Sequence, residues 1–220
     1  MKQIDNEYYK KFCKVLETYS SGAVKKCSAT MKDASFDDNN KMYVYWDYEN
    51  NSDYDIDMTI LKLDEFSKIY NSKNTPNAVD AVCIDHENNW YLIEFKNQKF
   101  DNAKSSVKKK MMSSLWILFD TYHKTGNISD IIGSPPTKDI IEFSKEHITY
   151  IVVCSSTKNS ENNNKKDRSK FGDNLRKRYT DILNRNYNQS KLDYCAECYC
   201  FKDAYKCSEK ELKNFIEGFI

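Results

Sequence analysis

Asp80, Glu94 and Lys96 are the residues of this chain whose types and spacing are best suited to chemistry. Asp80 interrupts the apolar run 78–84, and Glu94 and Lys96 close the apolar run 90–96. The polar residues 85–89 between the runs predict a β-hairpin. Side chains alternate along a strand, so Glu94 and Lys96 share one face while Phe95 points to the other.

The register of this hairpin decides whether the two acids meet. If Asp85 pairs with Asn89, or Ile84 with Trp90, Asp80 lies directly opposite Glu94. Two carboxylates facing each other at about 5 Å repel unless a cation lies between them. The pattern therefore predicts a cation site.

The expected cation is Mg²⁺ or Mn²⁺, held by Asp80, Glu94 and the backbone carbonyl of Phe95. Mg²⁺ takes few protein ligands and keeps waters and substrate phosphate oxygens. A metal so placed polarises a phosphoryl group and lowers the pKa of bound water. Lys96 can orient the attacking hydroxide and offset charge developing on phosphorus. The residues predict a metal-dependent phosphodiesterase.

The segments PNAVD at 76–80 and YLIEFK at 91–96 resemble the PD-(D/E)XK nuclease superfamily. The resemblance implies an α/β fold with a restriction-endonuclease-like core: a central mixed β-sheet flanked by helices, in the order α-β-β-β-α-β. It also implies an Mg²⁺-dependent endonuclease acting on nucleic acid, DNA rather than RNA, in a bacterial defence, repair or mobile-element setting. Many members of the superfamily work as dimers, so a homodimer is compatible with it.

The resemblance extends over about residues 5–154 and suggests two further site residues. Many members add a glutamate from the first helix, for which Glu17 is our choice and Glu7 or Glu65 are alternatives. Gln98 resembles a polar residue that some members carry after the lysine. Pro76 stands four residues before the acid, farther than is usual, and a helix at 64–70 is an insertion.

The length of 220 residues falls between one large domain and two small ones, and one domain over 1–220 is expected. The resemblance implies that its core is 5–154 and that 155–220 is an extension. Gly22 is expected to end the first helix, and 126–136 and 155–166 are expected to be loops. The expected helices are 5–20, 64–70, 102–123, 138–145, 168–186 and 208–219. The expected strands are 42–48, 56–63, 78–84, 90–95, 148–154 and 192–205.

Two basic sets are candidates for contacts with nucleic-acid phosphates. One lies on the predicted basic helix and includes Arg168, Arg176 and Arg178. The other lies on the helix after the hairpin and consists of Lys104, Lys108, Lys109 and Lys110. The formal net charge is only +1, so any nucleic-acid surface must be a local patch. Either set is equally compatible with a solvated helix face.

Composition points to a cytoplasmic protein without a membrane segment. There is no apolar leader region and no run of about 18 apolar residues. The eight cysteines are therefore expected to be reduced thiols. Cys195, Cys198, Cys200 and Cys207 could together hold zinc, but their spacing is irregular and strand-like alternation separates them, which favours ordinary thiols.

Two other function classes remain open from the sequence. A nuclease fold can be kept as a catalytically silent module that binds nucleic acid or protein. Alternatively, the hairpin charges simply face water in an interaction protein such as an immunity partner. Metal-linked stabilisation that depends on Asp80 separates the metal-dependent nuclease from both of these classes.

Overall fold

A central mixed β-sheet organises the chain in the computed structural model, which describes residues 6–46, 58–133, 136–159 and 200–217. Its strands are β1 Ser28–Thr30, β4 Thr59–Leu61, β5 Ala81–Ile84, β6 Trp90–Lys96, β7 Ile148–Cys154 and β8 Asp203–Ser208, in the spatial order β1-β4-β5-β6-β7-β8. Neighbours from β1 to β6 are antiparallel, and β6, β7 and β8 are parallel. Two further strands, β2 Phe36–Asp37 and β3 Met42–Tyr43, form a separate pair.

Helices cover both faces of this sheet. They are α1 Glu7–Tyr19, α2 Ala23–Cys27, α3 Met31–Ala34, α4 Leu63–Tyr70, α5 Phe100–Lys124, α6 Ser129–Ile132, α7 Ile140–His147, α8 Ser156–Asn159 and α9 Glu209–Glu217. One buried cluster joins α1, α4, α5 and α7 to the first face, and a second joins α3 and α9 to the other. The expected α/β class, with helices flanking a mixed sheet, is confirmed.

The first helix shows how local sequence sets an element. The side chain of Asn6 caps α1 by accepting from the backbone N–H groups of Tyr8 and Tyr9, at 2.8 and 3.2 Å. Apolar residues at three- and four-residue steps, such as Phe12 and Leu16, are then buried against the sheet. The helix ends at Tyr19, before Gly22.

The expected helix end at Gly22 needs correction. Ser20 follows the last helical residue and donates its N–H to the carbonyl of Leu16 at 3.0 Å. Gly22 instead precedes α2, with a φ of 78° that favours glycine.

Strand β7 matches the predicted strand 148–154 at both ends. All seven residues are buried, because β7 lies between two parallel strands and has helices over both faces. A continuous β-branched run is what such a position requires.

Several other expected bounds change. Of the predicted strand 42–48, residues 42–46 are described, and within them only Met42–Tyr43 is strand, outside the central sheet. Of the predicted strand 56–63, residues 58–63 are described, and the strand there is Thr59–Leu61, because α4 already begins at Leu63. The loop expected at 126–136 contains the one-turn helix α6. The short elements α2, α3, β1 and β2 have no counterpart in the sequence prediction.

The C-terminal extension is described only in part. The predicted basic helix 168–186, most of the loop 155–166 and the start of the last strand lie outside the described residues. At the described end, β8 begins at Asp203 and continues to Ser208, beyond the expected strand end at residue 205, and α9 lies within the expected helix 208–219. The assignment of 1–220 to one domain stays a prediction. None of the described helices has the length and apolar character needed to cross a membrane.

Candidate active site

The β5–β6 hairpin has the register expected from the sequence. Ile84 pairs with Trp90, and Ala81 pairs with Ile93. One step further, the N–H of Asp80 donates to the carbonyl of Ile93 at 3.1 Å. The paired residues of the ladder end at Ala81 and Ile93, so Asp80 lies at the mouth of the hairpin, where one ammonium, that of Lys110, contacts both its carboxylate and that of Glu94.

Helix α5 fixes the segment that carries Asp80. The hydroxyl of Ser114 accepts from the N–H of Val79 at 3.0 Å, and the hydroxyl of Ser113 donates to the carbonyl of Asn77. The backbone before β5 is thus hydrogen-bonded to a helix as well as to β6. This double attachment limits the positions that the Asp80 carboxylate can take.

Both oxygens of Asp80 have partners from other elements. Oδ2 accepts from the backbone N–H of Phe95 at 2.7 Å, and Oδ1 lies 3.1 Å from the ammonium of Lys110. The group of Phe95 that contacts Asp80 is thus its N–H, whereas the group predicted as a metal ligand is its carbonyl. The Phe95 side chain packs in the core on the far face of the sheet.

Glu94 is the most buried charged residue of the site. Its side chain is 0% exposed, and Oε2 lies 2.9 Å from the Lys110 ammonium. Oε1 forms a 2.5 Å ion pair with Lys96 but has no hydrogen bond of good geometry among the described residues. One oxygen of the carboxylate thus keeps acceptor capacity.

Lys96 and Lys110 approach the carboxylates from different elements. Lys96 lies two residues beyond Glu94 on the same strand face, and Lys110 comes from α5. Their side chains are only 16% and 19% exposed. Two acids and two lysines therefore form a nearly neutral cluster under α5.

The electrostatics of the cluster are set first by burial. Burial raises the pKa of Glu94 to about 7, and the neighbouring charge of Asp80 adds to the rise, while Lys110 and Lys96 oppose it. Burial lowers the pKa of Lys110, but Asp80 and Glu94 outweigh it and the net pKa is raised. Lys110 consequently stays charged, whereas Glu94 can take up a proton near neutral pH.

The upstream glutamate predicted from the first helix does not join the cluster. Both oxygens of Glu17 accept from backbone N–H groups at the start of α2, those of Gly22 and Val24, at 2.7 and 2.8 Å. The alternatives are engaged elsewhere: Glu7 pairs with Lys11, and Glu65 pairs with Lys62 and Lys68. The structure supports none of these glutamates as a third ligand.

Asp64, in the first turn of α4, is an acid that sequence reasoning missed. Burial raises its pKa, and among its neighbours Lys62 lowers it while Asp80 raises it further. Asp64 therefore lies within the electrostatic reach of the site. Nevertheless, within the described ranges no three His, Cys, Asp or Glu residues are grouped closely enough to hold a metal.

The remaining predicted contacts lie at the surface or outside the described chain. Gln98 is exposed, and its carbonyl accepts from Asn159 at 2.9 Å. Lys104 and Lys108 are exposed on α5. The predicted contacts Arg168, Arg176 and Arg178 fall outside the described residues.

Two of the four cysteines considered as zinc ligands belong to the described residues. Cys200 and Cys207 are free thiols, whereas Cys195 and Cys198 lie outside the described residues. The choice between zinc ligands and ordinary thiols therefore stays a prediction.

Lys110 is the site residue that sequence reasoning placed wrongly, in a basic surface set. Ala103, Val107, Ser114 and Ile117 are all buried, and Lys110 falls between them at the same three- and four-residue steps. A lysine in register with a buried helix face indicates a buried charge partner. That spacing could have identified it.

Comparison with known proteins gives no relative for this chain: no family model matches it, and neither a curated protein nor a solved structure does.

Proposed function

We propose that this protein is a metal-dependent phosphodiesterase, a nuclease whose substrate is DNA rather than RNA. The observation that carries the proposal is the meeting of two carboxylates at the mouth of the hairpin: Asp80 and Glu94 both contact the ammonium of Lys110, and Lys96 pairs with Glu94. Two carboxylates in such a position repel each other unless a cation is shared between them. Lys96 adds a positive charge next to the pair.

The donor set fits Mg²⁺ or Mn²⁺. Asp80, Glu94 and the carbonyl of Phe95 would hold the ion, since Mg²⁺ needs only one or two carboxylates alongside waters and substrate phosphates. Glu94 Oε1 is paired with Lys96, so Oε2, which faces Asp80 across the Lys110 ammonium, is the oxygen that would hold the ion. When bound, the metal would supply a polarised phosphoryl group and a water of lowered pKa.

The chain's own residues supply position and charge. The N–H of Phe95 fixes the orientation of the Asp80 carboxylate. The ammonium of Lys96, near the open end of the strand, can orient the attacking water and stabilise charge on the phosphoryl oxygens. Ser113 and Ser114 keep the Asp80 segment against α5, so the two acids retain their spacing.

The order of elements supports a restriction-endonuclease-like core. The series α1, β4, β5, β6, α5, β7 reproduces the helix, three antiparallel strands, helix and strand expected for a PD-(D/E)XK protein. Strands β1 and β8 extend the sheet at its two edges, and α4 is inserted between β4 and β5. The catalytic pair belongs to the central hairpin of this series.

Lys110 favours a second candidate, a catalytically silent nuclease fold that binds nucleic acid or protein. Its ammonium touches both Asp80 and Glu94, so the carboxylates are already neutralised from within the chain. A permanent internal cation would make a metal unnecessary for folding and leave the acids without catalytic use.

Thermal unfolding with millimolar Mg²⁺ or Mn²⁺ separates the candidates, because a metal that binds the native state raises its stability. The samples are wild type, Asp80→Asn and the control Asp130→Asn on exposed α6, each also incubated with plasmid and single-stranded DNA. A nuclease predicts a metal shift and cleavage that are lost only with Asp80→Asn. Absence of both in the wild type would favour the silent module.

A further inference from the structure

The ammonium of Lys110 bridges the carboxylates of Asp80 and Glu94. It lies 3.1 Å from Asp80 Oδ1 and 2.9 Å from Glu94 Oε2, so a single charge serves one oxygen of each acid. These distances are those of charge-assisted hydrogen bonds. A metal shared by the same acids would have to take this place.

The side chain of Lys110 is able to move. A lysine has a flexible four-carbon stem that ends in a compact ammonium, and this one begins on the rigid helix α5. Its side chain is 19% exposed, so water and ions can reach it. The flexible stem and the partial exposure are what a displacement of the ammonium would require.

We propose that Lys110 is an exchangeable counter-cation, which leaves Asp80 and Glu94 when a divalent metal binds them and then pairs with a phosphate of the nucleic-acid strand. This inference rests on the proposed nuclease function. It assigns Lys110 a positioning role that couples metal binding to substrate binding.

Competition follows from charge. The ammonium of Lys110 and a divalent ion cannot both occupy the position between Asp80 Oδ1 and Glu94 Oε2, because the two cations would overlap and repel each other strongly where water is largely excluded. Metal binding to the protein alone must therefore break both contacts of Lys110. The apparent metal affinity is lowered as a result.

Coupling follows from what the released ammonium meets. A phosphate of a bound nucleic acid would supply a negative partner for the Lys110 ammonium after it leaves Asp80 and Glu94. Substrate thus reduces the penalty of displacing Lys110, and by linkage metal and substrate favour each other's binding. Lys96 remains on Glu94 Oε1, so it is not the group that exchanges.

The first test measures Mg²⁺ affinity from thermal unfolding at pH 8 in wild type, Lys110→Gln and Lys109→Gln. Lys109 is an exposed lysine next in sequence, so it controls for the loss of one nearby charge. We expect affinity to rise about tenfold or more in Lys110→Gln only. Equal affinity in wild type and Lys110→Gln overturns this inference alone, whereas no metal response in any sample overturns the proposed function as well.

A charge-conserving variant keeps the test decisive if Lys110→Gln does not fold. Lys110→Arg retains a cation beside the two carboxylates, and its metal affinity is expected to stay within a few-fold of wild type. An increase as large as that expected for glutamine would overturn competition by charge.

The second test measures coupling. Mg²⁺ affinity is compared with and without a short phosphorothioate DNA strand and a methylphosphonate strand, whose backbone is uncharged. We expect the charged strand to increase metal affinity more in wild type than in Lys110→Gln, because only wild type has a displaced ammonium that can pair with the strand's phosphates. The same increase in both proteins would overturn the coupling role.

Discussion

Strand β5 has an aspartate at each end, and the two are satisfied in opposite ways. Asp85, at the turn, accepts from the N–H groups of Glu87 and Asn89, the amide of Asn89 and the hydroxyl of Tyr91, all between 2.8 and 2.9 Å. Asp80, at the mouth, accepts from the N–H of Phe95 and from the charged Lys110.

The difference is one of range and charge. Every partner of Asp85 is neutral and lies within six residues in the chain, so this carboxylate completes a turn. The partners of Asp80 lie 15 and 30 residues away, and a second carboxylate is next to it. A carboxylate that needs a remote lysine is the one available for binding a cation.

Among the changes at the two ends of β5, removal of Lys110 should have the largest effect on the free energy of unfolding. Without metal, Lys110→Met leaves Asp80 and Glu94 facing each other without their bridging charge, and we expect the free energy of unfolding at pH 8 to fall by about 3 kcal/mol. Urea denaturation measures this. The control Lys109→Met should stay within about 0.5 kcal/mol of wild type, and an equal loss in both would contradict the assignment.

The pH dependence of stability should come from Glu94. Its folded pKa of about 7 is above its ordinary value of 4.5, so the folded protein binds the extra proton between these values. The free energy of unfolding therefore falls as pH rises through this window, by at most about 3 kcal/mol. Urea midpoints across this range test the prediction; Glu94→Gln should flatten the slope, and Asp130→Asn should keep it.

Asp85→Ala should have a smaller effect and none on metal binding. Loss of the four acceptor contacts at the turn is expected to lower the free energy of unfolding by about 2 kcal/mol. The thermal shift with Mg²⁺ should remain as in wild type. If Asp85→Ala abolished that shift as Asp80→Asn does, the two ends of β5 would not differ in function.

The smallest stability effect is expected for Ser114→Ala. This change removes the acceptor for the buried N–H of Val79 and should lower the free energy of unfolding by about 1 kcal/mol. Val79 directly precedes Asp80, so loss of this hydrogen bond should also disturb the position of the Asp80 carboxylate. DNA cleavage should therefore fall more than stability does. Cleavage rates measured well below the melting temperature, with Ser106→Ala on the same helix as the control, separate the two effects.

The sequence was sufficient where the pattern is local or continuous. The turn 85–89 set the pairing of β5 with β6, and a continuous run rich in β-branched residues set β7. These features depend on side-chain alternation and on burial of both faces, which can be read along one segment.

The sequence was insufficient where the partner is remote. Lys110 looks like one of several surface lysines until α5 is placed over the hairpin. The resemblance implies a metal-binding glutamate on the first helix, and Glu17 lies there. Its carboxylate, near the end of α1, instead accepts from the N–H groups at the start of α2. The short elements α2, α3 and β1 lack the length over which periodicity becomes visible.

The hairpin register also bears on the order in which the protein assembles. The two carboxylates come together as soon as the short β5–β6 turn closes, which is a local and rapid event, whereas Lys110 arrives only when α5 docks. The two parallel pairings of β7 require partners far away in the chain and are slower still. Early folding species therefore contain the two carboxylates with Lys96 but without Lys110, so added Mg²⁺ should speed refolding.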